Sequence, residues 1–179
     1  MNKEILKLAI PNIITNITVP LLGMVDLAII GHIGNETYIG AIAIGTMIFN
    51  MIYWNFGFLR MGTSGFTAQA YGANDMKQSM TILVRGLSIA LIAALLLIIL
   101  QYPIALLSQL IVKGSDDVIR LALDYFYVRI WAAPATLGLY ALKGWYIGMQ
   151  NSKLPMWIAI FLNILNIAFS LIFVFVFDQ

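Results

Sequence analysis

The sequence contains no cysteine, one histidine and few charges, with 10 Lys and Arg and 8 Asp and Glu among 179 residues. Without cysteine there is no disulfide, no thiolate metal site and no Cys nucleophile. The single histidine, His32, leaves no Ser/His/Asp set and no histidine-rich zinc cluster, and no Gly-rich phosphate loop is present. Enzyme chemistry of the hydrolytic or zinc-dependent kind is therefore excluded, and His32 reads as a solvated residue in a turn. The net charge of +2 comes from basic residues scattered singly, which excludes a nucleic-acid partner. Charged residues make up 10% of the chain and hydrophobic ones 61%, whereas soluble domains carry about 25% charge. The same numbers exclude disorder. The solvent this composition suits is lipid.

A bilayer core about 30 Å thick needs roughly 20 helical residues. Five segments meet this, over about 5–30, 36–71, 76–112, 115–149 and 154–177, and together they predict an all-α integral membrane protein. Short polar turns separate them: Gly31–Gly34, Gly72–Asp75, Lys113–Ser115 and Asn151–Lys153. Asn35 and Glu36 form a cap with an acid in the first turn, and Ser115 followed by Asp116 and Asp117 makes a second helix start. A continuous helix over 36–71 would be about 54 Å long, so it projects beyond the membrane or breaks near Gly57, Gly62 or Gly65. Pro103 leaves 101–112 as the end of the third helix or a short interfacial turn. Segment four reads as one helix, with Arg120 placed to pair with Asp116 and Asp124 four residues away on either side. Pro155 sits in the first turn of segment five, where proline is tolerated.

The N-terminal segment is too long for a secretory signal and lacks a small-residue cleavage site, so it reads as a retained helix. Assigned to alternate loops, Lys3, Lys7, Lys77, Arg85, Lys143 and Lys153 fall on one side, and Lys113 and Arg120 on the other. That asymmetry predicts a cytoplasmic N-terminus in the cell's inner (plasma) membrane. Trp131, Trp145 and Trp157 supply candidate interfacial anchors. Arg60 and Arg129 are expected to form structural ion pairs or to snorkel.

Asp26 is the one acid well inside a span. A carboxylate there costs about 2.5–3.5 kcal/mol on insertion scales, which makes it a functional candidate. Apolar surroundings favour its neutral form, which suits a proton carrier. Asn12, Thr15 and Val19 lie within about 40° of its direction on the helix, giving a polar face. The plainer alternative is that Asp26 snorkels to the interface or pairs for assembly. Pro11 and Pro20 each remove a backbone hydrogen bond and permit bending. In segment five Asn163, Asn166 and Ser170 lie within about 60° of one another. They serve either a cavity or hydrogen bonding between helices, the latter worth about 0.6 kcal/mol in membranes.

The stretches LKLAIPNIITNITVPLLGMVDLAIIGHIG, GTSGFTAQAYGANDMKQ, ALKGWYIGMQNSKLPMW and LNILNIAF, in that order, resemble the N-terminal part of a multidrug and toxic compound extrusion (MATE) transporter of the DinF-like branch. The resemblance covers essentially the whole chain. It implies twelve helices in two six-helix lobes around a central cavity, with antiport of amphipathic or organic cationic compounds against H⁺ or Na⁺. DinF-like members carry an acid in helix one, fifteen residues after a proline, that is implicated in proton coupling and helix bending. Asp26 stands fifteen after Pro11, which makes Pro11 the better hinge candidate. In the family an acid often follows the second asparagine of the helix-five pair by four residues. Here that position is Ser170, so a site needing two carboxylates, including one for Na⁺, is disfavoured. Coupling by H⁺ through Asp26, with Asn166 as hydrogen-bond partner, is the expectation.

The implied architecture places these five helices in a six-helix lobe, so the chain is expected to be an incomplete N-terminal lobe that works only with the C-terminal lobe of the same transporter. No cofactor is expected beyond the coupling ion, and the partners are membrane lipids and small amphipathic or cationic substrates. Two other readings stand beside this one. The first is a lipid or oligosaccharide flippase of the same superfamily. The second is a truncated, non-transporting module that assembles through small-residue and polar faces.

Overall fold

The computed structural model describes residues 2–31 and 36–176, so His32, Asn35 and the terminal Asp178 and Gln179 lie outside the described residues. Eight α-helices follow in order: α1 (Asn2–Gly31), α2 (Glu36–Asn55), α3 (Gly57–Gly72), α4 (Met76–Ile99), α5 (Gln101–Ile111), α6 (Asp116–Arg129), α7 (Ala133–Gly148) and α8 (Lys153–Val176). A single 3₁₀ turn, Ile130–Ala132, links α6 to α7, and no strand occurs among the described residues. Among the described residues, three stretches are long and apolar enough to cross a bilayer: Thr37–Gly72, Met76–Ile99 and Lys153–Ile172.

Segment two breaks just before Gly57 and segment three just before Pro103, both among the places the sequence offered, whereas segment four, expected to read through, is interrupted; local chemistry accounts for each break. Pro103 has no N–H and its ring collides with the carbonyl four residues back, that of Ile99, where α4 ends. Pro134 does the same to Ile130, where α6 gives way to the 3₁₀ turn. Between α2 and α3 no proline intervenes. There Phe56 N–H bonds the Tyr53 carbonyl and Leu59 N–H bonds that of Phe56, both at 3.0 Å, a tightened turn just before Gly57.

Helix starts follow the polar turns. Asp75 caps α4 by accepting the Gln78 N–H at 2.8 Å, and the preceding Asn74 takes a left-handed φ of 56°, which asparagine tolerates. Ser115 stands at the start of α6 without a side-chain capping bond, leaving Asp116 and Asp117 in the first turn. The expected pairs of Arg120 with Asp116 and Asp124 do not form. All three side chains are exposed, where water competes with a weak helical ion pair.

The chain divides into two compact units, one containing α1 and α8 and the other spanning Gly40–Met149. In the larger unit α7 packs against both α3 and α4, which also pack together. The buried positions on these helices are mostly small: Thr63, Thr67 and Ala70 on α3, Gly86, Ala90 and Ala94 on α4, Ala141, Gly144 and Gly148 on α7. At Gly144 an added Cβ would stand 2.5 Å from the Arg60 carbonyl oxygen, and at Gly148 one would stand 2.6 Å from Thr67 Cβ. Helices α3 and α7 therefore meet backbone to backbone, the close approach that Gly-x-x-x-Gly spacing allows in membranes. The indole N–H of Trp145 donates to the Ser79 carbonyl and hydroxyl, both at 3.1 Å. Trp145 is thus half-buried at the α4–α7 contact, while Trp131 and Trp157 are exposed.

An aromatic cluster fills the other end of this unit. Phe49 stacks on Tyr53 and on Phe126, with ring centroids 5.5 and 5.3 Å apart. The Arg129 guanidinium lies 5.1 Å from the Phe49 centroid and 5.3 Å from that of Tyr125, and it donates to the Tyr125 hydroxyl. Of the two expectations for Arg129, the ion pair does not form among the described residues; aromatic faces rather than carboxylates surround the guanidinium, which makes cation–π contact instead.

Candidate functional site

Most of the polar residues singled out in the sequence lie on α1 and α8, which pack against each other in the smaller unit. Pro11 is buried, and Thr15 Oγ1 donates to its carbonyl at 2.9 Å. Thr18 Oγ1 repeats the pattern toward the Thr15 carbonyl at 2.9 Å. Both hydroxyls satisfy backbone acceptors of their own helix, as Ser and Thr do in helix interiors. Asn12 reaches the other helix, its Nδ2 donating to Ser152 Oγ at 3.4 Å. Ser152 is 3% exposed and stands immediately before α8, so this bond fixes the level at which the two helices meet. Asp26 and Pro20 belong to α1, but their side chains lie outside the described residues.

On α8, Asn163 and Ser170 are half-buried and Asn166 is exposed. The Nδ2 of Asn163 is buried and has no hydrogen-bond partner among the described residues. An amide left that way costs about 1–3 kcal/mol. Asn163→Leu, of similar volume, is therefore expected to raise the stability of this chain by about 1 kcal/mol, measured by thermal unfolding in detergent. A lower midpoint would show that the amide is satisfied and structural.

Sequence reasoning missed Ser152 as the partner of Asn12, and it missed Gly144 and Gly148 as a contact site. The signal for the glycines was present as G-x-x-x-G within ALKGWYIGMQ. No comparable signal marks Ser152, because pairing across helices has no sequence spacing. No group of three or more His, Cys, Asp or Glu able to hold a metal occurs among the described residues.

Comparison with known proteins adds an independent finding. The family model described as MatE matches residues 11–172. DNA damage-inducible protein F of Escherichia coli is 42% identical over 166 residues, covering 93% of this chain and 36% of that protein. A probable multidrug resistance protein NorM of Bradyrhizobium diazoefficiens is 29% identical over 88% of this chain and 33% of its own length. Multidrug and toxin extrusion protein 1 of Danio rerio is 30% identical over 85% of this chain and 25% of its own. The chain thus spans about a third or less of the length of these relatives.

Proposed function

The chain belongs to the MatE family, and from that premise we propose that it is the N-terminal part of a multidrug efflux antiporter. The transporter exports amphipathic or organic cationic compounds across the inner (plasma) membrane, is driven by H⁺, has its N-terminus in the cytoplasm, and needs the remaining lobe of the same protein. The names of the NorM and extrusion relatives support multidrug efflux.

The observation that carries the coupling reading is the level set by Asn12 and Ser152. As the first and last of five alternating segments, α1 and α8 run in the same sense. Fourteen residues further along each, about 21 Å by the helical rise, Asp26 and Asn166 come to one height. An amide at the height of a carboxylate offers both a donor for its charged form and an acceptor for its protonated form. Asn163 offers a second amide one turn away. Pro11, buried beside this contact, is the hinge, with Pro20 above it. Ser170 stands where the family often carries a second acid, and the lack of that acid favours H⁺ over Na⁺ as the coupling ion.

The test uses the complete protein in proteoliposomes carrying an internal pH indicator. Adding an organic cation is expected to dissipate an imposed proton gradient at a rate indifferent to Na⁺. Substrate movement that follows only a Na⁺ gradient, or that leaves the proton gradient intact, would overturn the reading.

A further inference from the structure

Between α3 and α4, within the larger unit, lies an open groove of about 580 Å³. Its floor is made of small residues, among them Gly62 and Gly86, and its walls are Phe58, Phe66, Ile82 and Ile89. Toward the 72–75 turn the lining becomes polar, with Gln69, Asp75, Gln78 and Arg85. Arg85 is exposed and has no carboxylate partner among the described residues. Asp75 is the one acid lining the groove and stands ten residues before Arg85, about 15 Å along the helix, too far for a direct pair.

The sequence that follows places Arg85 in the bilayer. From Gly86 to Ile111 there is no charged residue, and Ile89, Ile92, Leu96, Ile99, Leu107 and Leu110 are exposed. A charge-free helical run therefore begins directly above Arg85, which lies inside the apolar stretch Met76–Ile99; its long stem lets the guanidinium snorkel toward the turn and the level of lipid phosphates. An arginine at that depth calls for a bidentate oxyanion. Below it Asp75 repels a second negative charge and accepts from an ammonium. Above it the aromatic and aliphatic walls continue upward, flanking a small-residue floor with room for a chain.

We infer that this groove holds a glycerophospholipid with a zwitterionic, primary-amine headgroup. Its phosphate sits on Arg85, its ammonium faces Asp75 and Gln78, and one acyl chain lies between Phe58 and Ile89. A quaternary ammonium has no N–H for the carboxylate, and a glycerol headgroup leaves the lipid with a net charge that Asp75 opposes. The occupant is thus an ethanolamine-type lipid, ahead of choline or glycerol types. This site is independent of the coupling reading.

The chain is reconstituted with equal amounts of ethanolamine, choline and glycerol phospholipids, stripped with mild detergent, and its retained lipid identified by native mass spectrometry. The ethanolamine lipid is expected to remain at about tenfold over the others, the worth of one charge-assisted contact. Arg85→Gln is expected to lose that retention by about tenfold. Asp75→Asn is expected to keep lipid but abolish the preference for ethanolamine. Gly62→Leu, at a position with open space around its Cβ, is expected to expel the acyl chain. Retention is compared only at equal helical content by circular dichroism. Should Arg85→Gln misfold, an ethanolamine lipid photoactivatable in its acyl chain supplies the answer on the unmodified chain, with labelling expected at Phe58 and Ile89. Overturning outcomes are unchanged retention in a folded Arg85→Gln, a preference for glycerol lipid, labelling no stronger at the groove than at exposed Trp157, or a second protein chain captured at Phe66.

Discussion

Gly148→Val is expected to destabilise the chain by about 3 kcal/mol, at the top of the usual range for overpacking, and Gly144→Val by a similar amount. At Gly148 even the first added carbon meets Thr67 Cβ at 2.6 Å, the Ser64 carbonyl oxygen at 2.7 Å and the Ala68 nitrogen at 3.0 Å. At Gly144 the obstacle is the Arg60 backbone, with the carbonyl oxygen 2.5 Å away. Backbone atoms of a neighbouring helix cannot rotate aside as a side-chain tip can, so α3 and α7 must separate. Separation exposes Thr67 and breaks the layer that also seats Gly86 against Thr63 and Ala141. The check is equilibrium unfolding in mixed micelles. Gly65→Ala supplies the contrast: nothing lies within 4 Å of its Cβ, so the substitution gains helix propensity and is expected to stabilise by up to about 1 kcal/mol. Because the chain has no cysteine, a Cys pair placed across α3 and α7 reports directly on their separation. Gly148→Val unfolding like the unmodified chain would refute a tight seam.

Asp26→Asn in the complete protein is expected to lower proton-driven efflux at least about tenfold, leaving only background transport. An amide neither binds nor releases a proton, so the step that links substrate to the gradient is lost while the shape of the residue is kept. Misfolding does not explain such a loss, because removing a carboxylate from an apolar span removes an insertion cost of about 2.5–3.5 kcal/mol. Expression should therefore hold steady or rise. Substrate binding without a gradient is expected to persist, which separates coupling from recognition. Full proton-driven efflux in this variant would remove Asp26 from the coupling role and leave it as an interfacial or assembly residue.

Much of the punctuation was legible in the sequence. The Gly72–Asp75 turn, the helix start after Ser115 and Pro155 in the first turn of α8 are local events, set by capping groups and backbone freedom within a few residues. The breaks at Leu100 and at Ile130–Ala132 are also local, since each lies three or four residues before a proline. Pro103 marked the first in the sequence, whereas the second was hidden because an apolar run continues across it. Of the candidate site, the sequence marked Asp26 and the Asn163, Asn166 and Ser170 face, since polar groups inside apolar spans stand out by cost alone.

The sequence by itself determined the solvent of this protein, its helical class and the family to which it belongs, because composition, segment length and ordered motifs are properties of the chain. Only the tertiary structure decided which faces meet. It set Asn12 against Ser152, buried the Asn163 Nδ2 with no partner among the described residues, gave Arg129 to Phe49 and Tyr125, and pressed Gly144 and Gly148 onto the α3 backbone. The physical reason is the lipid-like surface. In a soluble helix the polar side marks solvent and the apolar side marks the core, but here the outward faces are as apolar as the inward ones, with Ile99 72% and Leu110 80% exposed. Hydrophobicity then carries no direction, and contact is chosen by residue size and the fit of one backbone against another.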